Sequence, residues 1–263
     1  MLSLPPKSVT ANNLTAYSST FFVLTFSNGS PGFLPVSFAT KIDFATATSP
    51  NILAVRDLDN DGTPDMVVAT NYNDYPSGNG FKVSVFRNTG SPGIINFERI
   101  DLPLPSIASF DIADLNGDGK LDLVAAIGGT VYILKNSSSG GAISFAQNSL
   151  SAGPDVRSRI AISDVDGDGK PDLVLSGYGF GLTEHPRFGV LQNSSTPQTI
   201  SFASAKLFGY AYGFTFDDIT MADLDGDKRP DYVSANSASS TYRNISVIGG
   251  FAFQSQPIVG GGS

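Results

Sequence analysis

Apolar residues recur along this chain in short alternating or β-branched runs, and no helical periodicity of useful length appears. Ile52-Leu53-Ala54-Val55 is followed, after a polar stretch, by Met66-Val67-Val68-Ala69 and then by Phe81-Lys82-Val83-Ser84-Val85-Phe86. Runs of this kind predict strands A (about 51–56), B (about 65–70) and C, and a fourth run at about 95–101 supplies strand D. The unit repeats with Val131-Tyr132-Ile133-Leu134 as C and Ile143-Ser144-Phe145 as D. It repeats again with Phe188-Gly189-Val190-Leu191 and Ile200-Ser201-Phe202, and finally with Ile245-Ser246-Val247-Ile248 and Phe251-Ala252-Phe253.

A turn follows strand C in several units: FRNTGSPG (86–93), LKNSSSGG (134–141) and LQNSSTPQ (191–198). FSNGSPG (26–32) is the same turn placed ahead of the first A strand. Residues of about 7–44 therefore read as a fifth, degenerate unit, with Thr20-Phe21-Phe22-Val23-Leu24-Thr25-Phe26 as its apolar strand. The expected organisation is one domain over 1–263. It comprises a degenerate blade at 7–44, blades at 45–101, 102–149, 150–205 and 206–257, and a tail at 258–263. Antiparallel four-stranded units in series read as an all-β fold, a β-propeller of about five blades, with a linear solenoid as the second architecture.

The polar stretches between A and B carry the chemistry. Residues 164–172 read DVDGDGKPD, with Asp164, Asp166, Asp168 and Asp172 at positions 1, 3, 5 and 9. Glycines at positions 4 and 6 permit the sharp backbone turns. Four converging carboxylates repel one another unless a cation sits among them, and Ca²⁺ suits an all-oxygen set. The backbone carbonyl of Lys170, at position 7, and a water would complete the shell. Three further loops have this form. Residues 57–65 offer Asp57, Asp59, Asp61 and Asp65, and residues 114–122 offer Asp114, Asn116, Asp118 and Asp122. Residues 223–231 offer Asp223, Asp225, Asp227 and Asp231. An EF-hand is excluded, because position 12 holds Val68, Ala125, Leu175 or Ser234 rather than Glu, and because strands flank each loop.

Charge follows from these loops. Of 24 acidic residues, the loops hold four, three, four and four, fifteen in all, so the formal charge of −8 is mostly loop chemistry. About four bound Ca²⁺ would bring the total near zero. No Lys/Arg cluster suggests nucleic acid, and no apolar run approaches the ~20 residues that cross a bilayer. There is no cysteine, so no disulfide staples the fold. Met1-Leu2-Ser3-Leu4-Pro5-Pro6 lacks the basic and apolar segments of a signal peptide, which suggests a mature or trimmed form.

DLDNDGTPDMVVA, DLNGDGKLDLVAA, DVDGDGKPDLVLS and DLDGDKRPDYVSA resemble the FG-GAP/VCBS-type repeats of integrin-α-like β-propellers, which are common in bacterial secreted and surface proteins. The resemblance covers about 35–257 well and 7–34 weakly. It implies calcium held by loop positions 1, 3, 5 and 9 with the position-7 carbonyl, which adds Thr63, Lys120 and Arg229 to Lys170. Related propellers carry six to eight blades, so five units leave closure of a ring within one chain open. Lys228 stands where the fourth loop should have its position-6 glycine, an expected cost of roughly 1 kcal/mol if φ is positive there.

No enzyme signature emerges. His185 is the only histidine, and Glu98 and Glu184 are the only glutamates. The expected function is therefore a non-catalytic, calcium-binding extracellular or cell-surface module for adhesion to a glycan or a surface protein. The alternative is self-association into a filament or fibre through the N-terminal strand, which needs a sheet edge such as that near Ile245 to Phe253. A polysaccharide lyase-like enzyme is a further alternative from family analogy. Tyr72, Tyr75, Tyr178, Phe180, Tyr210, Tyr212 and Phe214 are either core and turn residues or stacking platforms for sugars. Asn13, Asn28, Asn136, Asn193 and Asn244 begin Asn-x-Ser/Thr sequences, which serve either as glycan acceptors or as turn residues.

Overall fold

A computed structural model describes residues 20–23, 41–46, 50–70, 83–104, 107, 109–127, 130–151, 156–177, 185–211, 218–235 and 240–255. All regular elements among them are strands. The first two, β1 (Thr20–Val23) and β2 (Ile42–Ala45), pair antiparallel. The described part of the apolar N-terminal segment thus pairs with Ile42–Ala45.

Four four-stranded antiparallel sheets follow, each in sequence order, which is the propeller-blade arrangement expected from the repeats. The first holds β3 (Pro50–Arg56), β4 (Asp65–Thr70), β5 (Val83–Asn88) and β6 (Phe97–Leu102). The second holds β7 (Ser109–Ala113), β8 (Asp122–Ile127), β9 (Thr130–Asn136) and β10 (Phe145–Ser151). The third holds β11 (Val156–Ser163), β12 (Asp172–Gly177), β13 (His185–Leu191) and β14 (Lys206–Ala211). The fourth holds β15 (Asp218–Ala222), β16 (Asp231–Ala235), β17 (Ser240–Asn244) and β18 (Phe253–Ser255).

Two strand assignments move. Ile200-Ser201-Phe202 is not strand D of its sheet, which is Lys206–Ala211; Asn193 instead bridges Phe202 across the base of a turn. Ile245-Ser246-Val247-Ile248 is not strand C, which is Ser240–Asn244; Val247 bridges Gly250 inside the following turn. Both segments are apolar enough to read as strands. Yet Ile200 and Phe202 pack on the core from a turn, and Val247 and Ile248 are 68 % and 74 % exposed. In the second and fourth sheets strand D begins at Phe145 and Phe253, so Ile143 and Ser144, and Phe251 and Ala252, precede it.

The chain divides into two compact units, Met1–Asp57 with Gly62–Ser106, and Leu58–Asp61 with Ile107–Ser263. In the first unit, Met66, Val68 and Phe86 are buried with Phe44, Leu53 and Phe97 packed against them. Phe44 meets Phe97 edge-on at 5.1 Å, and Arg99 Nη1 donates to Ala45 O. This is how β2 is held on β6.

In the second unit, period-two alternation sends neighbouring residues to opposite faces, and both faces of the third sheet are buried. Leu173, Leu175 and Leu191 pack with Val124 and Ile133 of the second sheet and with Leu115 of its loop. Val174, Phe188 and Val190 pack with Tyr232 of the fourth sheet and with Phe251 from the turn before β18. Phe188 stacks on Tyr232 with centroids 3.9 Å apart. Covering both faces explains why β12 reads as the unbroken apolar run Leu173-Val174-Leu175. The innermost strands are joined as well, since Ile160 and Ile162 N–H groups donate to Ser109 Oγ and Asp111 Oδ2.

Candidate metal centres

Each acidic loop joins the first two strands of its sheet, so the strands fix where it begins and ends. The position-9 aspartate is the bracket. Asp172, fully buried, accepts from Val165 N through Oδ2 and from Asn193 N through Oδ1. Asp122 accepts likewise from Leu115 N and Asn136 N, and Asp231 from Leu224 N and Asn244 N. Asp65 accepts from Asn88 N. One carboxylate thus ties the loop entry to the end of the third strand.

Burial pushes the carboxyls of Asp122 and Asp172 up to about 6, against the pull of the N–H groups they accept. A carboxyl raised in the folded state binds its proton more tightly there than in the unfolded chain, so its ionisation destabilises the fold as pH rises between about 4 and about 6. The chelated protein is expected to gain stability when pH falls from 7 to 5, measured by thermal melting in a chelator. A bound dication rewards the ionised form, so the same shift should lower stability in calcium.

Position 1 shapes the turn. Asp164 Oδ1 accepts from Gly167 N at 2.9 Å and Oδ2 from Gly169 N at 2.9 Å. Asp223 makes the same pair with Gly226 N and Lys228 N, and Asp114 with Gly117 N and Gly119 N. Asp57 accepts from Gly62 N. These bonds require left-handed backbone at position 6, where Gly169 has φ 85° and Lys228 has φ 71°. Lys228 therefore carries the expected strain. Lys228→Gly should stabilise the fold by roughly 1 kcal/mol, seen as a raised melting temperature.

The remaining carboxylates converge. Ligand oxygens of Asp57, Asp59 and Asp61 lie within 4.8 Å of one another, as do those of Asp164, Asp166 and Asp172, and those of Asp223, Asp225 and Asp231. In the loop 114–122 the third-position residue is Asn116, whose Nδ2 donates to Asp118 Oδ2 at 3.0 Å. Asp168 Oδ1 accepts Lys170 N. The position-7 lysines direct their ammonium groups elsewhere, Lys120 to Ser138 O and Lys170 to Ser195 O. Arg229 instead pairs with Asp227, and Thr63 holds the same place in the first loop.

Cationic side chains already enter two of the loops. Lys135 Nζ lies 3.4 Å from Asp118 Oδ2. Arg243 reaches Asp225 through Nε and Asp227 through Nη2. Burial raises the Asp118 carboxyl, but hydrogen bonds from Asn116, Lys120 N and Lys135 outweigh it and hold it below the usual range. Arg229 and then Arg243 lower Asp227. An all-oxygen donor set that draws positive groups from its surroundings fits a hard cation.

Sequence reasoning missed the turn asparagines as structural groups. Asn193 Nδ2 donates to Leu115 O and Pro171 O, both at 2.8 Å. Asn136 Nδ2 donates to Leu58 O and Leu121 O, and Asn244 Nδ2 to Val165 O and Pro230 O. Each Oδ1 accepts the N–H two residues on. Every polar atom is satisfied, and the three side chains are at most 2 % exposed. In the folded chain their amide nitrogens are buried and bonded, which accords with the turn-residue reading of these Asn-x-Ser sequences. The signal for the structural role was there: Asn88, Asn136, Asn193 and Asn244 occupy the same turn position in all four sheets.

Asn13, Asn28, Glu184 and six of the seven singled-out aromatics lie outside the described residues. The exception, Tyr210, falls in β14, and His185 opens β13. Glu98 is exposed on β6.

Strand–acidic loop–strand corners on four-stranded antiparallel blades define a propeller-type repeat protein. The FG-GAP-like repeat model matches residues 57–125 and again 114–175, and this stretch of the chain is built of FG-GAP-like repeats. No curated protein matches the chain. No helix among the described residues is long and apolar enough to cross a membrane.

Proposed function

We propose that the chain is a non-catalytic, calcium-binding propeller domain that works outside the cell or on its surface, adhering to a glycan or a surface protein. The ligand set is the one expected from the sequence. Asp57, Asp59, Asp61, Asp65 and the Thr63 carbonyl hold one ion. Equivalent sets run from Asp114 to Asp122, from Asp164 to Asp172 and from Asp223 to Asp231. The observation that carries the reading is the convergence of three carboxylates in each of three loops, within 4.8 Å in each case. Charge repulsion at that distance is costly without a counter-ion.

Calcium would supply electrostatic cross-linking, with no chemistry beyond it. The loop residues bind and orient, while the position-9 aspartates carry the ion's pull into the backbone of both neighbouring strands. FG-GAP-like repeats are typical of surface and extracellular binding domains, which favours adhesion over catalysis. The test is retention of the purified chain on immobilised glycans and extracellular-matrix proteins, with calcium and with a chelator. Calcium-dependent retention on at least one surface is expected. Retention on none, or turnover of a polysaccharide substrate, would contradict the reading.

A further inference from the structure

At or just past the end of the third strand of each sheet, one residue before the turn asparagine, stands Arg87, Lys135, Gln192 or Arg243. Registers of Leu123 with Leu134, Leu173 with Leu191 and Tyr232 with Tyr242 put the next residue on that strand opposite the position-9 aspartate. From that place the side chain reaches over the loop. Lys135 Nζ approaches Asp118, and Arg243 bonds Asp225 and Asp227. Gln192 Nε2 donates to Asp166 Oδ2 at 2.9 Å, in the same position but without charge.

We propose that this third-strand residue sets how strongly each loop takes calcium. Lys135 and Arg243 act as built-in cations, and Gln192 leaves the loop 164–172 as the tightest site. The inference rests on the calcium reading above and adds a determinant that the loop motif itself does not contain. A permanent positive charge a few ångströms from the ion repels it, and it already neutralises the carboxylates the ion would use. The third-strand residue adds to what loop composition gives: 223–231 has the same four aspartates as 164–172, yet its third- and fifth-position carboxylates are bound by Arg243, and the fifth also by the loop's own Arg229. Asp166, by contrast, accepts only from neutral donors, the Asp168 N–H at Oδ1 and Gln192 and the Gly249 N–H at Oδ2.

The test is calorimetric titration of the full chain with calcium alone, comparing wild type, Gln192→Arg, Gln192→Ala and Arg243→Gln. The tightest phase should weaken tenfold or more in Gln192→Arg and should survive in Gln192→Ala, which removes the hydrogen bond without adding charge. Arg243→Gln should tighten a second phase by a similar factor. In chelator, Gln192→Arg should melt no lower than wild type, because the guanidinium supplies the missing counter-charge; this separates charge replacement from misfolding. Unchanged affinities for Gln192→Arg and Arg243→Gln in a protein that does bind calcium overturn this inference alone. A wild type that binds no calcium overturns it together with the calcium reading.

Discussion

Asp172→Asn should destabilise the fold by about 3 kcal/mol even in chelator, although it changes a single atom and relieves charge repulsion. Both carboxylate oxygens accept buried backbone N–H groups, from Val165 and from Asn193. An asparagine offers one oxygen and one NH₂, so one buried N–H faces another donor. A buried group left unsatisfied costs about 1–3 kcal/mol, and opposing donors add repulsion. Asp168→Asn is the control. Asp168 is exposed and accepts from Lys170 N through Oδ1 alone, so it should lose under ~0.5 kcal/mol in chelator, the usual range for surface changes. Urea melts of the two variants decide the matter. Equal losses would mean that position 9 is only another ligand.

Calcium removal should have the second large effect. An ion that binds only the folded chain stabilises it by RT ln(1 + [L]/Kd), which is about 2.7 kcal/mol per site at a hundredfold excess over Kd. Without the ion the carboxylates gathered around Asp57, Asp164 and Asp223 repel one another, and the chain has no cysteine to brace them. Excess chelator is expected to lower the melting temperature by ten degrees or more. Magnesium should restore little of it, because it demands a smaller octahedral site. A melting temperature indifferent to chelator would show that built-in cations such as Arg243 suffice.

The loops and the strands flanking them were legible because their determinants are local. Carboxylates at odd positions, glycines where φ must be positive, and apolar runs on either side all fall within about twenty residues. Third and fourth strands were less so. Ile245, Val247 and Ile248 look like a strand yet lie exposed in a turn, and the true strand, Ser240–Asn244, is more polar. The turn asparagines showed that an Asn-x-Ser sequence cannot tell a glycan acceptor from a buried latch. That distinction depends on Leu115 O arriving from a segment 78 residues away. Gln192 and Arg243 were invisible for the same reason, since only cross-strand register brings them over the loops.

Equilibrium dialysis of the full chain against calcium, with ions counted by atomic absorption, tests the central claim most directly. The account predicts about four ions per chain at millimolar calcium, the last of them binding weakly where Lys135 and Arg243 intrude. One ion or none at that concentration would contradict it.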